Sequence, residues 1–267
     1  MQDTLKRRIR FSPPQPLDEK LYLAASDLRI FGAIHRHGPL PTHYLHRFAG
    51  YKNLNTTQHR LTQLYNEGYL TRPPEFFESF NARYQFLTYD LGGKGEKLIN
   101  LSPYIKRGDH MIHRLMGACV GASIELSNPY ISRHEILSRN DCKLELPLTD
   151  GKLIPDELFG IHKDGKKRFY AVEIDRNTEQ LKKRTHRNTI EGKLEGYLEV
   201  VERRTYHSVW GIPNFRVLIA TTSESRAKAI RERVDPKILD RFTFLVVPEF
   251  ESPWKMPPVL DLSTLLN

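Results

Sequence analysis

Three acids could carry chemistry if the chain brings them together: Asp156, Glu173 and Asp175. The turn between them sets their register. Lys163-Asp164-Gly165-Lys166 has Asp-Gly at its centre, the strongest short-range signal for a two-residue type I′ hairpin. With Lys163 facing Lys166, Ile161 faces Arg168, Phe159 faces Tyr170 and Asp156 faces Glu173. Side chains two apart share a face, so Asp175 joins that pair, beside Leu158, Gly160, Phe169 and Ala171. Like charges directly opposite one another destabilise a sheet. A hard divalent cation, Mg2+ or Mn2+, is the simplest group to offset them, because Mg2+ accepts one or two carboxylates and leaves positions for a phosphate. Such an ion stabilises charge developing on a phosphodiester. The alternative is an inert strand end, solvated or paired with Arg176, Lys182 or Lys183.

The elements that must position these residues follow from periodicity. A helical pattern at 110–126 precedes strand patterns at 143–148, 153–161 and 168–175. A long helix is predicted at 178–204, then strands at 215–220 and 242–247 around a short helix at 225–233. The order is α-β-β-β-α-β-α-β, a mixed sheet with helices on its faces.

Upstream, Ser26 is predicted to cap a helix carrying Leu28, Phe31 and Ile34 that stops at Gly38-Pro39. Thr42 is predicted to cap a second helix with Leu45 and Phe48. Asn55 or Thr56 opens a third, whose Leu61, Leu64 and Tyr65 form one stripe before Gly68. Strands at 69–72 and 83–88 then flank a loop containing Pro73-Pro74. Three helices and a hairpin give the winged-helix order, with the third helix entering the major groove and the hairpin lying along the backbone. Thr56, His59, Arg60 and Gln63 offer donors and acceptors suited to base edges and phosphates, and Arg72 and Arg83 add cations on the hairpin. The alternatives are an ordinary solvated face or a protein-docking module.

Ile154-Pro155-Asp156, followed by Val172-Glu173-Ile174-Asp175, resembles the signature of the PD-(D/E)xK nuclease superfamily, and the element order matches that superfamily's core. Asp175 stands where the pattern has lysine. Lys193, beside the core-facing stripe Ile190, Leu194, Tyr197 and Val201, is the best substitute, and Glu135 matches the upstream acid common in the superfamily. The whole chain resembles the replication-relaxation family of plasmids and mobile elements. That resemblance rests on the stretch Leu87-Thr88-Tyr89-Asp90-Leu91-Gly92-Gly93-Lys94-Gly95-Glu96, on Pro155-Asp156, on Glu173-Ile174-Asp175-Arg176 and on Lys193-Leu194-Glu195-Gly196-Tyr197. It implies a role in DNA processing or its control.

Composition bounds these readings. The 267 residues carry a formal net charge of +9, which favours polyanionic partners, nucleic acid first. Hydrophobic residues make up 39% and charged residues 27%, the balance of a globular chain. No apolar run approaches the roughly 20 residues of a membrane helix. No secretion signal is read at the N-terminus, so a cytoplasmic protein without membrane association is expected. Cys119 and Cys142 are too few for a disulfide framework and lack metal-ligand spacing. His110 and His113 have no third ligand at suitable spacing for zinc, and the chain has no phosphate-cradling glycine loop, so no nucleotide cofactor is expected.

The expected division is a basic arm at 1–20, a winged helix at 21–105, a nuclease-like domain at 106–250 and a tail at 251–267. The fold class is α/β (α+β). Two functions remain open. In one, the protein is a metal-dependent endonuclease or nickase on double-stranded DNA, with Asp156, Glu173 and Asp175 holding the ion, and with Lys193 and Glu135 assisting. In the other, it is a regulator of transcription or replication whose nuclease-like domain serves homodimerisation or partner binding without catalysis.

Overall fold

The computed structural model describes residues 14–17, 20–74, 86–99, 111–127, 144–163, 166–176, 189–251 and 255–263. Helices and strands alternate in a mixed α/β fold that divides into two compact units, 1–126 with 252–260, and 127–251 with 261–267. Among the described residues no helix is long and apolar enough to cross a membrane.

The first unit opens with three helices, α1 (Ala25–His37), α2 (Thr42–Ala49) and α3 (Leu54–Asn66). Their starts differ from the predicted caps. At α1 the Asp27 carboxylate turns back to accept the Ala24 N–H at 2.7 Å, while Ser26 is hydrogen-bonded to the Tyr51 hydroxyl at 2.6 Å. Thr42 is the first residue of α2 and donates its hydroxyl to the Leu87 carbonyl. Asn53, not Asn55 or Thr56, caps α3 by accepting the Asn55 amide at 2.8 Å. A capping side chain needs only a nearby orphan amide, so several polar residues in a row blur its position. Leu28, predicted on the apolar stripe of α1, is 57% exposed; Ile30, Phe31, Ala33 and Ile34 form the buried face.

Strands β1 (Leu40–Pro41), β2 (Leu70–Thr71) and β3 (Thr88–Leu91) build a small antiparallel sheet with β3 at its centre. The predicted second hairpin strand, 83–88, meets β3 only at Thr88, and 83–85 lie outside the described residues. Helix α4 (Gly93–Ile99), which periodicity did not reveal, follows at once. Its approach is tight: a Cβ at Gly92 or Gly95 would collide with the carbonyls of Gly68 or Tyr69, and Gly92 donates its N–H to the Tyr69 carbonyl at 2.9 Å. This is the physical demand behind the glycine-rich end of the motif at 87–96.

Helix α5 (Met111–Ser127) was expected to open the second domain. Through residue 126 it belongs to the first unit instead. Glu125 accepts a bidentate pair of bonds from Arg36 and a 2.6 Å bond from His37 on α1. Burial pushes the Glu125 carboxyl up, but His37 and Arg36 outweigh it and hold the group at about 2. Ser123 binds both the Tyr44 hydroxyl and the Leu260 amide at 3.0 Å, so the returning tail closes the same core.

In the second unit, the range predicted as one strand at 153–161 splits. A small hairpin pairs β4 (Leu146–Leu148) with β5 (Gly151–Leu153), and β6 (Glu157–Lys163) starts anew beyond Pro155. Proline lacks the amide that would continue a ladder, which accounts for the break. The main sheet has order β6-β7-β8-β9, with β7 (Lys166–Asp175), β8 (Arg216–Thr221) and β9 (Phe242–Val246). β6 and β7 are antiparallel in the predicted register, Lys163 opposite Lys166 and Ile161 opposite Arg168; β7, β8 and β9 run parallel.

Helix α6 (Ile190–Arg203) begins at the Thr189 cap, and the predicted start at 178 lies outside the described residues. Arg204, in the left-handed region at φ 55°, separates it from α7 (Thr205–Trp210). Helix α8 (Glu224–Arg231) is capped by Ser223. One core joins Leu158, Ala171, Val217 and Ile219 of the sheet to Ile190, Leu194, Tyr197 and Val200 of α6 and to Ile230 of α8. Burying each such aliphatic side chain contributes about 1.5–3 kcal/mol.

Candidate functional site

The β6–β7 ladder ends one pair short of Asp156 and Glu173. Beyond the last ladder pair, Glu157 with Val172, the Asp156 amide donates to the Val172 carbonyl at 2.9 Å. Its carboxylate Oδ2 accepts the Ile174 amide at 2.9 Å, so the side chain takes over where the strand backbone bends away. That bond fixes Asp156 beside Glu173.

Glu173 is 2% exposed and lies on the sheet face covered by α6. Its Oε1 accepts the Tyr197 hydroxyl at 2.6 Å, and its Oε2 pairs with the Lys193 ammonium at 3.0 Å. Lys193 and Tyr197 are four apart, so one face of α6 presents both. Burial pushes the Glu173 carboxyl up; Lys193 pulls it down, the Asp156 charge pushes it up, and the result is about 6. Loss of solvent is the main cause of the raised value, and the Asp156 charge adds to it.

Asp175 differs. Arg226 of α8 donates Nε to Oδ2 at 2.7 Å and Nη2 to Oδ1 at 3.0 Å, and the Thr221 hydroxyl adds a 3.2 Å bond. Both Asp175 and Arg226 are buried. Asp175 is thus tied at both oxygens by a guanidinium fork. Among the described residues no group of three or more His, Cys, Asp or Glu side chains is arranged to hold a metal ion. Asp156 and the buried Glu173 beside it offer the two carboxylates that such a cation takes, whereas both oxygens of Asp175 are already taken by Arg226. Glu135 lies outside the described residues.

On α3 the side chains sort into two groups. Thr56 and His59 are exposed, as are Asn55, Gln58 and Thr62 on the same helix, which sequence reasoning passed over. Arg60 turns inward instead: Nε and Nη2 clasp the fully buried Asp27 carboxylate at 2.9 and 2.6 Å, Nη2 also reaches the Tyr22 carbonyl, and Nη1 reaches Gln63. Arg72 is stacked over Tyr65 and Tyr89, with its guanidinium carbon 4.2 Å from the Tyr65 ring centre. Arg83 lies outside the described residues.

Sequence spacing could have found Tyr197, which shares the helical face of Lys193. Arg226 is 51 residues from Asp175, and no local pattern links them.

Comparison with curated proteins and with solved structures gave no match. A family model described as replication-relaxation matches residues 31–213, about two-thirds of the chain, from within α1 to just beyond α7. It takes in the glycine-rich turn before α4, the Asp156–Glu173 hairpin and the Lys193–Tyr197 face of α6. The chain belongs to the replication-relaxation family.

Proposed function

We propose that this protein binds double-stranded DNA and cuts one strand of it with a divalent cation, in the replication or relaxation of a plasmid or other mobile element. The family supports the biological setting. The observation that carries the chemical reading is the 3.0 Å approach of Lys193 to Glu173, beside Asp156. A lysine from the neighbouring helix there stands in for the one that Asp175 displaces. The first unit is read as a winged helix whose α3 enters the major groove. Thr56 and His59, with Asn55, Gln58 and Thr62, present hydroxyl, amide and imidazole groups to base edges.

Asp156 and Glu173 would hold Mg2+ or Mn2+, which would supply electrophilic activation of the phosphodiester. The Ile174 amide fixes the Asp156 carboxylate, and Tyr197 fixes one oxygen of Glu173. Lys193 places its ammonium where a phosphate oxygen gains negative charge, which favours the transition state over the ground state.

A second reading draws on a different observation. With Asp175 closed by Arg226, the domain would be a degenerate nuclease fold that serves homodimerisation or partner binding, and the protein a DNA-binding regulator. Supercoiled plasmid incubated with the protein and Mn2+ or Mg2+ separates the two. Nicking that disappears in Glu173→Gln and Lys193→Met, while gel-shift affinity for duplex DNA survives, supports the nuclease. DNA binding without nicking in the wild-type protein supports the regulator.

A further inference from the structure

Arg176 follows Asp175 at the C-terminal end of β7, an inner strand of the main sheet. It is half-buried, and its Nε is enclosed without a hydrogen-bond partner. Among the described residues no carboxylate pairs with it. The nearby acids are committed elsewhere: Glu173 to Lys193 and Tyr197, Asp175 to Arg226, Asp156 to the Ile174 amide. Loss of solvent pushes the Arg176 guanidinium below its ordinary range.

Removing a cation from water without a counter-charge costs stability, so such groups are ordinarily paired. A guanidinium presents a planar fork that matches phosphate oxygens. Ligands of open α/β sheets also collect beyond the carboxyl ends of parallel strands, and β7 and β8 run parallel up to Asp175 and Thr221.

We propose that Arg176 is a phosphate-binding residue, taking an oxygen of the nucleic-acid backbone at the strand end of the second unit. This rests on the reading of the protein as DNA-binding, and it assigns the second unit a backbone contact of its own, separate from α3.

The test uses the full chain, Arg176→Met and Arg176→Lys. Thermal melting is measured in sodium phosphate against sodium chloride at equal ionic strength, and duplex DNA affinity is measured across a salt series. Phosphate should raise the melting temperature of the wild type but not of Arg176→Met, and without phosphate Arg176→Met should melt at or above the wild type. Its DNA affinity should fall severalfold and the salt slope should drop by about 1, as for the loss of one phosphate contact. Arg176→Lys should keep the slope and lose part of the affinity.

Melting of Arg176→Met well below the wild type with an unchanged slope would overturn the proposal and make Arg176 structural. Equal phosphate stabilisation of both proteins would also overturn it. DNA binding that ignores Arg176 leaves the DNA reading standing and this one lost. A phosphate effect that requires Arg176, in a protein with no DNA affinity, leaves a free phosphate anion as the ligand and sinks the DNA reading alone.

Discussion

Arg226 closes both carboxylate oxygens of Asp175, at 2.7 and 3.0 Å, across 51 residues of sequence and within a buried site. Removing one partner leaves the other charge buried and unpaired. Arg226→Ala should therefore cost about 3–5 kcal/mol in urea unfolding, whereas Asp175→Leu with Arg226→Met should cost far less, since a hydrophobic pair replaces a buried ion pair at little or no loss. Equal losses in the single and double variants would show that the pair is not coupled.

Glu173 gives a stability slope with a defined sign. Its folded value of about 6 lies above the ordinary 4.5, so the folded state holds the proton more tightly. That stabilisation is complete below pH 4.5, fades as pH rises through 6, and amounts to about 2 kcal/mol. Metal-free protein should lose melting temperature from this group between pH 4.5 and 6, and Glu173→Gln should flatten the slope there. A slope unchanged in Glu173→Gln would assign it to another group.

A metal ion would act on the charged form of the same carboxyl. A cation bound only to the folded state raises stability by mass action, about 2.7 kcal/mol at a hundredfold excess over its dissociation constant. Mn2+ should raise the melting temperature of the wild type and of Asp175→Asn relative to their own metal-free baselines, but not of Glu173→Gln. A metal shift abolished in Asp175→Asn would return that residue to the ligand set.

The two groups on α3 should separate stability from binding. Arg60→Ala strands the buried Asp27 carboxylate and should cost about 3 kcal/mol or more. His59→Ala and Gln58→Ala, on the exposed face, should change stability by less than about 0.5 kcal/mol. They should weaken sequence-specific binding in a gel shift. Full DNA affinity in the double variant would remove α3 from the interface.

Tyr44 tests the returning tail. Its hydroxyl donates to the Pro258 carbonyl and contacts Ser123, which also accepts the Leu260 amide. Tyr44→Phe should cost about 1–3 kcal/mol, because it leaves buried polar groups unsatisfied. Removal of residues 255–267 should destabilise the first unit by a comparable or larger amount, measured by melting.

The sequence by itself determined what local rules determine. An Asp-Gly turn and a period of two placed Ile161 opposite Arg168 and carried Asp156 to Glu173, because a hairpin register is fixed by its turn. A period near 3.6 placed Leu61 and Leu64 in one core and Leu194 and Tyr197 in another, and the same spacing set Lys193 on the face that meets Glu173. Tertiary structure decided which charges meet across long stretches of chain. Arg60 is a solvent-facing candidate by helical spacing, yet Asp27 on another helix draws it inward. Asp175 is a metal ligand by register, yet Arg226 takes both its oxygens. Helix α5 has the apolar pattern of either unit, and Arg36, His37 and Tyr44 assign it to the first. A period reports which face of an element is apolar. It carries no information about which partner, tens of residues away, will cover that face or neutralise a charge on it.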